Sequence, residues 1–213
     1  MGRKESKIQR WASRSLGIIF FALSSQYLIS SPIDHHQERF EDVALKIWEY
    51  AELGYLEEKS SSLLQQELKD SGFTIQSGVA GIPTAFIAEY NNGGPVLGVL
   101  GEFDALPGLS QQNVPFKTAE GLSSANGHAC GHHLFGAASA WAVVAIKDWL
   151  EESGTPGTIR FYGTPAEEGG SGKVYIARDG YFDDVDIVLH WHPASGNSAD
   201  AQSSNSNLSL IHI

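Results

Sequence analysis

The sequence predicts an α/β fold whose sheet is covered by helices on both faces. Apolar residues at three- and four-residue spacing alternate along the chain with short runs rich in β-branched and aromatic residues. Two carboxylate clusters and a histidine cluster follow directly on strand-like runs, and sheets of this class place their ligands at the carboxyl ends of their strands.

The elements follow in order. Phe40, Val43, Ala44, Ile47, Trp48 and Ala51 share one helical face, and Gly54 is the expected stop. A second helix is expected from about Leu56 to Asp70, with Leu63, Leu64 and Leu68 on its stripe and Gly72 at its end. Strands are expected at Phe73–Gln76, Thr84–Tyr90 and Val96–Leu100, the last a buried central strand, with a turn at Asn91–Pro95. An Ala-rich helix over Leu134–Leu150 leads into a strand at Thr158–Tyr162. A short helix around Val174–Arg178 then precedes a strand at Val185–Trp191.

The chain has 213 residues, enough for one ordinary domain or one domain with part of another, and its 42% hydrophobic content supports a packed core. The net charge of -11 excludes a nucleic-acid partner, which requires a concentrated basic face. Positive charge is gathered at the start, where Arg3, Lys4, Lys7, Arg10 and Arg14 precede the apolar run Leu16–Leu23 and then small and polar residues through Ser31. This is the layout of a secretory signal peptide, so residues 1–31 are read as an export leader or membrane anchor, directing the protein to a periplasmic or secreted location. The run is shorter than the about 20 residues of a membrane span, and the alternative is a mobile tail on a cytoplasmic protein. Without residues 1–31 the chain keeps nine basic and 24 acidic residues. From Ala194 the composition turns to Ser, Asn, Gln and Ala, and the final run Leu208–Ile213 is β-like with no partner, so residues 194–213 are expected to be a truncated continuation or a non-native tail.

Cys130 is the only cysteine, which excludes an internal disulfide. It stands two residues before His132, between Gly127 and Gly131, so thiol and imidazole can meet one ion, for which zinc is the natural occupant. The bland alternative is a small buried hydrophobe. Glu167 and Glu168 follow a strand-like run; on a regular strand successive side chains alternate, so one binds metal while the other stays free as a general base. Their alternative is a solvated acidic loop. Asp104 either orients a metal-ligating imidazole or caps a turn before Ala105–Gly108. His192 ends the last apolar run, with His190 on the same side of the pleat as either a ligand or a packing neighbour. His35, His36 and His212 are expected at the solvent surface. Gly169–Lys173 fails as a phosphate loop, because Glu167 stands where its first glycine belongs and Val174 where Ser or Thr belongs.

Taken together, Gly101–Gln111, Gly127–His132, Pro165–Lys173 and Phe182–Asp186 through Trp191–Pro193 resemble the amidohydrolase branch of the di-metal aminoacylase and carboxypeptidase superfamily. The resemblance covers about residues 35–195. It implies a three-layer helix/sheet/helix catalytic domain of the di-zinc exopeptidase kind, here its N-terminal part over residues 32–193, with the lid and dimerisation domain essentially absent, so that this chain alone is expected to be inactive. It implies hydrolysis of an amide bond to an amino acid in a small peptide, N-acyl amino acid or aminobenzoyl-glutamate-like substrate, using one or two Zn²⁺ or Mn²⁺ ions. Carried over by position, Cys130, His132, Glu168 and His192 are metal ligands, Cys130 as a bridging one, Glu167 is the general base and Asp104 orients a ligand. It also implies a homodimer or hetero-oligomer. Glu102 departs from the pattern, standing where the wider superfamily has His and this branch Asp, and His133 replaces a usual Asp or Asn. Two rival readings follow from the same residues: a thiol hydrolase with Cys130 as nucleophile and His128 or His132 as base, and a non-catalytic metal-binding fragment.

Overall fold

The computed structural model describes residues 33–116 and 125–196. The expected leader over 1–31 and the run Leu208–Ile213 lie outside the described residues. Helix α1 (Gln37–Tyr50) is followed by α2 (Glu58–Asp70), and strands β1 (Thr74–Ser77), β2 (Phe86–Asn91) and β3 (Val96–Gly101) come next. The long helix α3 (His132–Ser153) leads to β4 (Thr158–Gly163). A single helical turn, α4 (Glu167–Gly170), is followed by α5 (Gly172–Arg178) and β5 (Ile187–Leu189).

The five strands form one mixed sheet in the order β1-β2-β4-β3-β5. β3 runs parallel to β4 and β5, whereas β1 and β2 are antiparallel to their neighbours. β3 is therefore paired on both sides, as its continuous apolar run requires, although β4 holds the centre. Period-two alternation divides the side chains between two cores. Phe86, Ala88, Val99, Ile159 and Phe161 face one way, against α1, α2 and α3, with the Phe86 and Phe161 rings stacked at 5.5 Å. Ile87, Leu100 and Tyr162 face the other way, onto Ile176 of α5 and the segment through Phe182 and Val185. Helices thus cover both faces. Among the described residues no helix is long and apolar enough to cross a membrane.

Several boundaries differ from expectation. α1 stops at Ala51, which adopts a left-handed conformation (φ 42°), and not at Gly54. Leu56 is exposed and precedes α2, which starts at Glu58 because Glu52 oxygens accept the free amides of Lys59 and Ser60. β5 is only three residues long and is exposed, so His190, Trp191 and His192 lie beyond the strand and alternation does not govern them. They gather instead around the buried Phe135 ring, at 5.5, 5.6 and 6.1 Å. His36 is partly buried and sits 2.8 Å from Asp148, contrary to the expected free surface position.

Candidate metal centre

The site stands at the carboxyl ends of β3 and β4, which parallel pairing brings to the same end of the sheet. β3 delivers Glu102, Phe103 and Asp104; β4 delivers Thr164, Pro165, Ala166 and then α4 with Glu167 and Glu168. Between them the N-terminus of α3 supplies His132, entered through Gly131 in the left-handed region (φ 83°) that favours glycine.

His132 is the hub and is fully buried. Its Nδ1 lies 2.8 Å from Asp104 Oδ1, which fixes the tautomer and aims Nε2 at the opening. Around Nε2 stand Glu102 Oε2 at 2.9 Å, Glu167 Oε2 at 3.9 Å and Glu168 Oε1 at 3.9 Å. Cys130 Sγ and His192 Nε2 approach each other at 3.4 Å. Two donor sets result: Cys130, His132 and His192, and Glu102, His132 and Glu167, each with its donor atoms within 4.8 Å of one another.

Of the two roles open to Asp104, the geometry supports the orienting one. Its second oxygen, Oδ2, accepts the Glu168 amide at 2.9 Å, so one buried carboxylate ties the imidazole to the glutamate turn. The expected alternation of Glu167 and Glu168 does not occur. The strand ends at Gly163, left-handed Ala166 (φ 59°) turns the chain, and both carboxylates reach His132 from α4. His190 packs against Phe135 and belongs to neither donor set; nor does Glu168, expected as a ligand, whereas Glu167, expected as the base, falls in the second.

The electrostatics suit a cation. Burial alone would depress the His132 imidazolium, but Asp104 and Glu102 outweigh it and push its pKa up to about 10. Burial, and then Glu168, push the Cys130 thiol up to about 12. Burial and the neighbouring Glu102 raise the Glu167 carboxyl. Glu102 Oε2 and His132 Nε2 face each other at 2.9 Å in the buried interior, an ion pair when the imidazole is protonated, and a bound cation would take the place of that proton. Sulfur, nitrogen and oxygen donors in this number match a divalent transition metal. The thiol-hydrolase reading gains no support. His128 donates Nε2–H to the Ile47 carbonyl at 3.0 Å, both nitrogens of His132 face carboxylates, and a thiol titrating near 12 is a poor nucleophile.

Sequence reasoning missed Lys173 and Glu57. Lys173 Nζ binds Glu102 Oε1, and with His132 it holds that carboxyl below its usual range against the opposing effect of burial. Glu57 is fully buried 109 residues from Ala166, whose amide it accepts. Neither carries a local signature; both contacts exist only once the chain is folded.

Behind the site, burial pushes both His128 and His133 down to about 4, their rings 5.2 Å apart. Both stay neutral in the fold, so the unfolded chain takes up protons first. Their stability contribution is complete above about pH 6.5 and is lost as the pH falls toward 4. For His128 alone it amounts to about 3 kcal/mol. Urea unfolding of metal-free protein at pH 7 and 4.5 is expected to show a smaller acid loss in His128→Gln than in the wild type; equal losses would exclude His128 as the cause. That difference also cancels Glu57, which burial pushes up to about 7 and which acts in the opposite direction over this window.

Residues 98–204, half of the chain, match the model of Peptidase family M20/M25/M40. A p-aminobenzoyl-glutamate hydrolase subunit of Escherichia coli is 47% identical over 165 residues, covering 78% of this chain and 34% of its own length. The human Xaa-Arg dipeptidase is 33% identical over 184 residues, covering 78% of this chain and 38% of its own. The chain thus spans little more than a third of the curated relatives it matches. Among solved structures, a Bacillus subtilis protein described as a dinuclear metal binding peptidase from the M20 family superposes with a TM-score of 0.62 at 25% identity, covering 74% of this chain and 43% of the other. The family match begins within β3 and runs past His192, so it takes in each of the side chains assembled around His132; the chain belongs to the M20/M25/M40 peptidase family.

Proposed function

We propose that this chain carries the metal-binding core of a hydrolase that cleaves an amide bond to an amino acid. The observation that carries the reading is the convergence of Cys130, His132 and His192 within 4.8 Å of one another, with Glu168 Oε1 3.9 Å from the same buried imidazole nitrogen. These four residues would hold Zn²⁺ or Mn²⁺, one or two ions per subunit, and Asp104 would keep His132 and the Glu168 turn in register. When bound, such an ion supplies Lewis acidity toward the substrate carbonyl and makes water acidic near neutral pH. Glu167 is the proton carrier: its carboxylate accepts the proton of the attacking water and returns it to the leaving amine. Its raised pKa and half-exposed position, with 45% of the side chain accessible, suit both halves of that task.

The names of the relatives support the substrate class, an aminobenzoyl-glutamate-like amide, an N-acyl amino acid or a dipeptide. That the Escherichia coli relative is named as one subunit of its hydrolase supports assembly into an oligomer. Export through residues 1–31 is part of the same proposal and favours peptide or acylated amino-acid substrates.

The test is metal content by plasma mass spectrometry on the purified chain beside Cys130→Ala and Glu168→Ala. The expected outcome is near-stoichiometric zinc or manganese in the wild type and little in either variant. A folded wild type without metal, after dialysis against both ions, would overturn the reading.

A further inference from the structure

The segment from Glu52 to Glu57 grips the site from outside it. The Glu52 carbonyl accepts the amide of Ala105, next to Asp104, at 2.8 Å. Gly54 lies so close to Ala166 that a Cβ there would come within 2.9 Å of it. Tyr55 Oη donates to the Gly170 carbonyl at 2.5 Å, at the end of α4. Glu57 Oε1 accepts the Ala166 amide at 2.8 Å, and Oε2 accepts the Thr84 hydroxyl at 3.1 Å.

Ala166 needs this support. It is fully buried and left-handed (φ 59°), a conformation that costs a non-glycine residue about 1 kcal/mol or more. Its amide would otherwise be an unsatisfied buried donor. From this residue the chain swings Glu167 and Glu168 toward His132. We propose that Glu57 is a positioning residue for the metal centre: by accepting the Ala166 amide, its buried carboxylate holds the left-handed turn from which both glutamates reach the imidazole. It touches neither ion nor substrate and acts through Ala166. The consequence for metal affinity rests on the function proposed above; the effect on the turn does not.

Two readouts on the 213-residue chain test it. Hydrogen exchange of the metal-free protein reports the turn directly, and Co²⁺ titration, followed by the thiolate-to-cobalt absorption of Cys130, reports the site. Glu57→Asp, which keeps the charge but withdraws the oxygen from Ala166, and Glu57→Ala are expected to speed exchange in peptides spanning 166–172 at least about tenfold, with α3 unchanged. Both should weaken Co²⁺ binding by about 10- to 100-fold. Glu57→Gln should behave as wild type in both assays, because its carbonyl still accepts the Ala166 amide and its NH₂ faces a hydroxyl able to accept. Unchanged exchange in the turn, exchange raised equally across α3, or Glu57→Gln matching Glu57→Ala would each overturn the proposal. A wild type that binds no Co²⁺ would count against the metal centre, and the exchange comparison would still decide the role of Glu57.

Discussion

Glu167→Gln is expected to lower turnover of an amide substrate by about 10²- to 10⁴-fold while leaving metal content at the wild-type level. Glutamine keeps the size of the side chain and its place on α4 but cannot accept a proton. Glu167 Oε2 and Glu168 Oε1 stand equally far from His132 Nε2, at 3.9 Å, so distance alone does not separate a base from a ligand. Their settings do. The Glu168 amide is bound by Asp104 and its carboxylate receives the Cys130 thiol, whereas the Glu167 side chain is about twice as exposed, at 45% against 23%. Activity is measured as kcat on p-aminobenzoyl-glutamate and on N-acyl amino acids, for the chain fused to the C-terminal segment of the Escherichia coli relative and for the chain alone. Loss of metal together with activity in Glu167→Gln would reassign Glu167 as a ligand.

Metal affinity is expected to climb steeply with pH. The imidazole of His132 titrates near 10 and the thiol of Cys130 near 12 in the metal-free protein, so both carry the competing proton at neutral pH. An ion takes each donor in its deprotonated form and must displace two protons. Below about pH 10, affinity therefore rises by up to about 100-fold per pH unit, or about 10⁴-fold between pH 6 and 8. Calorimetric titration in buffers of different protonation enthalpy counts the protons released per ion. Two are expected for the wild type and one for Cys130→Ala at whatever affinity remains. A flat pH profile would show that His132 and Cys130 do not both enter the metal shell.

Much of this arrangement could be read from the chain before folding, and what could not has a common cause. The strand cores of β3 and β4 and the helical stripes of α1 to α3 are local patterns, fixed by side-chain period. The proximity of Cys130 and His132 is local as well. Their meeting with His192, Glu167 and Glu168 followed from the rule that parallel strands gather ligands at one end, and from a family resemblance. The errors arose where a distant contact overrode a local rule. Gly54 looked like a helix stop, yet its small size serves the approach of Ala166, and Ala51 ends the helix instead. Glu167 and Glu168 looked like strand residues because left-handed Ala166 cannot be foreseen from alanine. Lys173 sat in a failed phosphate-loop motif, with nothing to indicate that its ammonium would reach Glu102 across 71 residues.

His132 offers a single lone pair. Asp104 occupies its Nδ1 face, and the two donor sets around the site both count on the remaining nitrogen. That nitrogen can serve one ion at a time, so the softer donors Cys130 and His192 and the harder donor Glu102 compete for it and cannot be served independently. A second ion bound alongside the first has to do without imidazole from His132, leaving it carboxylate oxygen, with Cys130 sulfur available only by bridging.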